Sequence, residues 1–198
     1  MIDSLKLHVL LVAGSPRRNS STSALLRFVA DELARAGCVV DILDLAEEPL
    51  AHFNPDTTYT AAHYGPLRAR VHRADAIVLG TPDYHGSLSG ALKNFLDHFW
   101  QEFTGKLFAT IVASHEKGLT VTDQLRTIAR QCYAWSLPYG VAFADPDDVK
   151  DGRIVSPALQ RRLEMLVRDL RVYGALLAHQ RRADLAGTEP GFLAKLRK

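Results

Sequence analysis

The stretch "LHVLLVAGSPRRNSSTSALL", residues 7–26, passes from a short apolar run through glycine, proline, two arginines and a cluster of hydroxyls into an amphipathic pattern. Residues 7–13 are Leu-rich and β-branched and stop at Gly14, the pattern of a buried strand. From Ser20 to Ala36 the apolar Leu25, Phe28, Val29 and Leu33 share one helical face, and Gly37 supplies a stop. A strand that breaks at Gly14 and restarts as a helix near Ser20 aims several unpaired backbone N–H groups, and the positive helix end, at one point.

The same alternation runs down the chain. "CVVDILDL" (38–45) reads as a strand, and residues 46–66, with three prolines, as a long surface connection and candidate functional loop. A short helix over about 65–73 leads into the strand "DAIVLG" at 75–80. After "TPDYHGSLSG", the apolar Leu92, Phe95, Leu96 and Phe99 stand at helical spacing, and "LFATIVAS" (107–114) is the next strand. A helix over roughly 119–135 and a last strand at 137–143 follow, then the polar turn cluster "DPDDVKDGR". Ser156 and Pro157 open the final helix as N-cap and first-turn proline, with Leu159, Leu163, Leu166, Val167 and Leu170 on one face. Residues 1–180 are expected to form one domain and the basic, Gly/Pro-interrupted 181–198 a tail. Five strands alternating with helices imply parallel pairing with right-handed crossovers, hence a doubly wound α/β sandwich with ligands at the strand carboxyl ends.

Composition narrows the class. The 198 residues are 47% apolar, enough for one sizeable core, and Lys plus Arg number 24 against 22 Asp plus Glu, a balance unlike a nucleic-acid footprint. Cys38 and Cys132 lack metal-type spacing and sit in apolar-periodic segments, as expected of small buried thiols in a cytoplasmic chain. The longest apolar block near the start, Val9–Ala13, is too short for a signal peptide or membrane span. His8, His52, His63, His72, His98 and His179 are scattered, so no metal site is expected.

In the first turn, Ser15, Ser20, Ser21, Thr22 and Ser23 can donate to phosphate oxygens, and Arg17 or Arg18 can offset a dianion's charge. A helix-capping cluster with solvated arginines is the other reading of the same residues. The turn lacks the Lys of a Walker-type loop, the glycine spacing of a dinucleotide fingerprint and a cysteine nucleophile, which leaves a binding cradle without a nucleophile. The second exit, "TPDYHGS" (81–87), has Pro82 to set a turn, Gly86 to let backbone approach a ligand, and Tyr84 as an aromatic wall for a flat ring. The third exit, "SHEKGL" (114–119), offers Ser114, His115 and Lys117, either as surface groups or as positive charge near a ligand.

"GSPRRNSST" at 14–22 joined to "TPDYHGSLSGALKNFLDHF" at 81–99 resembles the NAD(P)H-dependent FMN reductases and their quinone- and azo-reducing relatives. The likeness extends over the order of elements from about 7 to 178. It implies a flavodoxin-like three-layer α/β/α sandwich with a five-stranded parallel sheet of order 2-1-3-4-5. It further implies that Ser15, Arg17, Ser20, Thr22 and Ser23, with Ser21 beside them, hold the FMN phosphate. Pro82, Asp83, Tyr84, His85, Gly86 and Ser87 would line the isoalloxazine, with Ser114 and His115 at its third side. Many relatives have Glu in place of Asp83, Asn in place of His85 and a glycine-rich third turn.

The activity implied is ping-pong hydride transfer from NAD(P)H to flavin N5 and on to a small acceptor: a flavin, quinone, azo compound or metal ion. The flavin carries the chemistry, so no protein residue is assigned as catalytic, and His85 is read as a contact. A non-enzymatic flavodoxin-type electron carrier and a flavin-binding regulatory module are the competing classes; rapid bleaching of the FMN form by NADPH separates the enzyme from the carrier, and FMN binding with negligible turnover and a specific protein partner would mark the module. The resemblance also implies a homodimer or homotetramer, and the aromatic "FLDHFWQEF" (95–103) reads equally as a surface for it or as a well-filled core.

Overall fold

The computed structural model describes residues 6–197. In chain order the elements are β1 (His8–Ala13), α1 (Ser21–Arg35), β2 (Val39–Asp44), α2 (Tyr64–Arg73), β3 (Ala76–Tyr84), β4 (Ser87–Leu88), α3 (Gly90–Asp97), β5 (Leu107–Ala113), α4 (Leu119–Gln131), β6 (Trp135–Ser136), β7 (Val141–Phe143), β8 (Val149–Lys150), β9 (Arg153–Ile154) and α5 (Pro157–Ala186). The sheet runs β2-β1-β3-β5 in parallel, and β6 and β7 occupy successive parts of the outer edge of β5. With those two pieces counted as one strand, the order is the one expected; in detail the sheet has seven strands, because β6 and β7 are separate and β4 adds an antiparallel partner to β3.

Strand periodicity explains why the central strands read as unbroken apolar runs. Val9, Leu11 and Ala13 of β1, Ala76 and Val78 of β3 and Leu107, Ala109 and Ile111 of β5 enter one core, under α1 and α5. Leu10, Val12, Ile77, Leu79, Phe108 and Val112 point the other way, into the core shared with α2, α3 and α4. Both faces are buried, so polar alternation has no place in these strands.

Helix ends follow their local signals. Ser20 caps α1 by accepting from the Ser23 N–H at 3.1 Å, and Ser156 caps α5 by accepting from Leu159 with Pro157 in the first turn. α1 ends where Gly37, at φ +87°, donates to Ala34 O and Cys38 donates to Leu33 O.

Three expectations change, and one pair of readings is decided. β3 does not stop at Gly80 but continues through Tyr84, held by pairing of Thr81 with Val112 and Pro82 with Ala113. Of the strand expected at 137–143 only β7 forms; Trp135 and Ser136, just before it, pair separately as β6, and Pro138, with no N–H to give an edge strand, lies between the two. The polar cluster after β7 folds as the β8–β9 hairpin, turning on Asp151 and Gly152 at φ +50° and +73°. Of the two readings of 95–103, the core one holds for Phe95, Phe99 and Phe103, which leaves Trp100 as the exposed aromatic of that stretch.

The segment beyond 180 also has structure. α5 continues to Ala186, Arg181 donates to Thr104 O at 2.9 Å, Arg182 to Asp75 at 2.7 Å, and Leu193 is buried. The basic end therefore folds back over the amino end of the sheet.

Candidate active site

Three loops meet where β1, β3 and β5 end. At the first, Gly14 N–H donates to Gly80 O at 2.8 Å, which clamps the turn to β3. A Cβ on Gly14 would stand 2.6 Å from Leu92 Cβ and 2.8 Å from Gly80 O, so this glycine is required by close approach to α3 and β3. Ser89, the N-cap of α3, donates from its hydroxyl to Gly14 O and ties the same turn to α3. The turn is thus fixed by backbone and cap bonds that leave the α1 N-terminus facing outward.

A cavity of about 540 Å³ opens there, lined by Arg17, Ser20, Ser21, Ser23, Arg27 and Asp145 among others. Ser20 and Ser23 hydroxyls lie 3.0 Å apart, and the Ser21 hydroxyl donates to the Asp145 carboxylate. Ser15 is buried, its hydroxyl accepting from Arg17 N–H at 3.2 Å. Thr22 is buried and faces Gly80 rather than the cavity. Arg18 turns toward Glu47, 4.0 Å away.

The second loop is a tight hairpin rather than an open exit. Tyr84 and Ser87 pair across a two-residue turn, His85 and Gly86, at φ +58° and +77°. Asp83 organises it: one carboxylate oxygen accepts from Gly86 N–H at 2.8 Å, the other from the Ser114 hydroxyl at 2.9 Å. That second bond joins the β3 and β5 loops. Ser114 also accepts from Glu116 N–H at 3.1 Å, and its own N–H donates to Phe143 O at 2.8 Å.

Around this knot lies a second cavity of about 600 Å³, lined by Pro82, Asp83, Tyr84, Gly86, Ser114 and His115, and by Glu116, Leu119, Thr120 and Asp145. Of the expected second-loop residues, His85 stands exposed at the hairpin tip and Ser87 lines the neighbouring groove instead. Lys117 is not part of the wall, and Glu116 brings a carboxylate where positive charge was expected. The long 46–63 connection packs on α3, where Asn94 accepts from Phe53 N–H at 2.8 Å and donates to Ala51 O at 3.0 Å; it lines neither cavity.

Two residues were missed by sequence reasoning. Gln124, on α4, donates to Gly86 O at 3.2 Å and accepts from the Ser87 hydroxyl at 3.1 Å, clamping the hairpin from outside. Asp145 lines both cavities and so marks where they adjoin. The signal for Asp145 was available, since the fifth strand must also end at the ligand face of a doubly wound sheet; for Gln124 there was none.

The arrangement sets a hydroxyl-lined cavity at the start of α1 beside a second cavity walled in part by Tyr84, both at the carboxyl edge of a parallel sheet. Residues 7–147 match the family model described as NADPH-dependent FMN reductase. The chain belongs to that family, whose members are FMN-dependent NAD(P)H oxidoreductases. An FMN-dependent NADPH-azoreductase from Staphylococcus aureus (strain USA300) is 32% identical over 150 residues, covering 72% of this chain and 79% of that protein. The flavodoxin-like fold recurs in a flavoenzyme NAD(P)H:(acceptor) oxidoreductase from Paracoccus denitrificans, with TM-score 0.69 at 20% identity over 88% of this chain and 98% of that one. It recurs also in the apo form of an NADH:FMN oxidoreductase, TM-score 0.68 at 18% identity over 85% and 90% of the two chains. In this reductase the family match ends at residue 147, just past Asp145, so both cavities fall almost wholly within it.

Proposed function

We propose that the two cavities together hold one FMN, phosphate in the first and ring system in the second, and that NAD(P)H and a small acceptor use the open side of the ring in turn. The observation that carries this reading is their adjacency. A hydroxyl-lined pocket on a helix N-terminus suits a phosphate, and a slot walled by Tyr84 and loop backbone suits a planar ring. The residues fit the cofactor: Ser20, Ser21 and Ser23 present hydroxyls to the cradle, and Arg17 supplies a cation at its rim. Ser15 and Thr22 shape the turn from beneath.

When bound, FMN supplies hydride acceptance from NAD(P)H and electron delivery to the acceptor. The chain supplies orientation. Asp83 acts as a positioning residue, since both of its oxygens are occupied by Gly86 N–H and Ser114 O–H and neither is directed to moving a substrate proton. His115 and Glu116 border the ring slot, while Leu119 and Thr120 are shared with a groove of about 820 Å³ along α3 and α4. That groove gives acceptors a route to the ring. The acceptor is a small oxidant such as a flavin, a quinone, an azo compound or a metal ion, and the enzyme works in the cytoplasm as a homodimer or homotetramer. Among the described residues no helix is long and apolar enough to cross a membrane.

The test is direct. Purified protein mixed with FMN and then with NADPH under anaerobic conditions should bleach the flavin absorbance, and a quinone or azo dye should restore it. Protein that fails to bind FMN, or a bound flavin untouched by NADPH, would end this reading. Size-exclusion chromatography with light scattering decides the assembly.

A further inference from the structure

The phosphate cradle already contains an anion. Asp145 follows β7 and reaches back across 124 residues of sequence to accept from the hydroxyl of Ser21, the first residue of α1. Its carboxylate therefore stands at the positive end of a 15-residue helix, where a phosphate is also favoured. The placement is built: Ala144 N–H donates to the Asp148 carboxylate at 2.9 Å and Asp148 N–H to Ala144 O at 2.8 Å. Val155 N–H closes on Asp148 O at 2.9 Å, and Val149 is buried in the core, so the turn that carries Asp145 is anchored on both sides.

The charges around the cradle balance rather than favour a dianion. Arg17 and Arg27 share the lining with Asp145 and Asp151, and Arg27 is already bonded to Asp44 at 3.2 Å. An incoming phosphate meets Ser21 with its hydroxyl engaged and a carboxylate alongside. Because Asp145 also lines the ring slot, it cannot be bypassed by a ligand that spans both cavities.

We infer that Asp145 is a resident competitor for the flavin phosphate, displaced from Ser21 when FMN binds, and that it sets the cofactor's affinity low enough for exchange. This rests on the reading that the first cavity takes the phosphate. A ligand without a phosphate need not displace the carboxylate, so Asp145 acts on FMN and spares riboflavin. Its effect is electrostatic, through the like charges, and shrinks as salt screens them.

The experiment is a fluorescence titration of wild type, Asp145→Asn, Asp145→Ser and the control Asp147→Asn with FMN and with riboflavin, at low salt and at 0.5 M salt. Asp147 is exposed on the same turn and lines neither cavity. Both Asp145 variants should bind FMN on the order of tenfold more tightly at low salt, as expected for removing one like charge at close range. Riboflavin affinity and the Asp147 variant should stay within twofold of wild type, and the FMN gain should narrow at high salt. An Asp145→Asn protein that binds FMN as wild type does, or that loses affinity for both flavins, overturns the inference. An Asp145→Asn protein that binds riboflavin as tightly as FMN, with the competing carboxylate gone, would instead remove the phosphate reading beneath it. Thermal midpoints without flavin, equal among the four proteins, certify that the fold is unchanged.

Discussion

The two ends of the sheet answer the same electrostatic question in opposite ways. At the amino end, the last carbonyls of α2 are satisfied from within: Lys106, 1% exposed, donates to Val71 O at 2.6 Å, to His72 O at 3.0 Å and to Ala74 O. Thr104 O beside it receives Arg181, and the end of α5 closes the surface. At the carboxyl end, the start of α1 borders a cavity; Ser20 accepts from the Ser23 N–H, and Asp145 accepts only from the Ser21 hydroxyl. Helix termini leave unpaired groups at both ends of a doubly wound sheet. One end completes them with the chain's own Lys106 and becomes scaffold; the other leaves a hydroxyl-lined cavity, the one proposed above to take the flavin phosphate.

That contrast breaks first at Lys106. Lys106→Met should strand buried carbonyls and lower stability by about 3 kcal/mol in urea unfolding, while FMN affinity of the folded fraction stays within twofold. A large loss of flavin binding would mean the two ends are not independent.

Close packing at the site end gives the next effect. Gly14→Ala drives a Cβ into Leu92 and the Gly80 carbonyl and should lower stability by about 2 kcal/mol, with FMN binding reduced at least tenfold because the cradle itself must shift. Loss of stability with intact flavin binding would show that the turn can move without disturbing the cradle.

Acid–base linkage sharpens the amino end. Burial, with the Arg181 charge adding to it, pulls the Lys106 ammonium down to about 7 from an ordinary 10.5. Between those values the unfolded chain holds a proton that the folded chain has released, so stability rises with pH. Cys38 and Cys132, whose thiols burial holds above their ordinary 9, oppose this only at higher pH. From pH 7 to 9 the unfolding free energy should therefore increase by about 2 kcal/mol, and the increase should vanish in Lys106→Met.

Two smaller effects belong to the site. Ser20→Ala removes the cap of α1 and should cost about 1 kcal/mol, measured by thermal unfolding, with weaker FMN binding. His85→Asn, at the hairpin position with φ +58°, should gain about 0.5 kcal/mol because Asn tolerates the left-handed region better, and should leave the FMN affinity unchanged. A clear fall in affinity would make the His85 ring a ligand contact.

Features that depend on neighbours in sequence were legible. The Gly14 break, the Ser20 cap, the Gly37 stop and the Ser156–Pro157 start all use bonds closed within a turn, and each appears where its residues predict. Features that depend on pairing across the fold were not. "TPDY" reads as a loop from its composition, yet it is strand because Pro82 lies opposite Ala113 of β5. Nothing in the sequence around Lys106 marks it as buried, yet the end of α2 folds over it. The phenylalanines of 95–103 read equally as interface or core, and only the position of α3 against the sheet places them inside.

Sequence alone determined the alternation of strands and helices, the parallel sheet and the hydroxyl-rich turn at the start of α1, because hydrophobic period and capping are local and need no partner. Tertiary structure alone decided that Asp83 knots two loops, that Gln124 clamps a hairpin 38 residues away, and that Asp145 stands at the mouth of the cradle. A hydrogen bond between distant segments leaves no periodic trace in either one, so it exists only once the sheet has set their strand ends side by side.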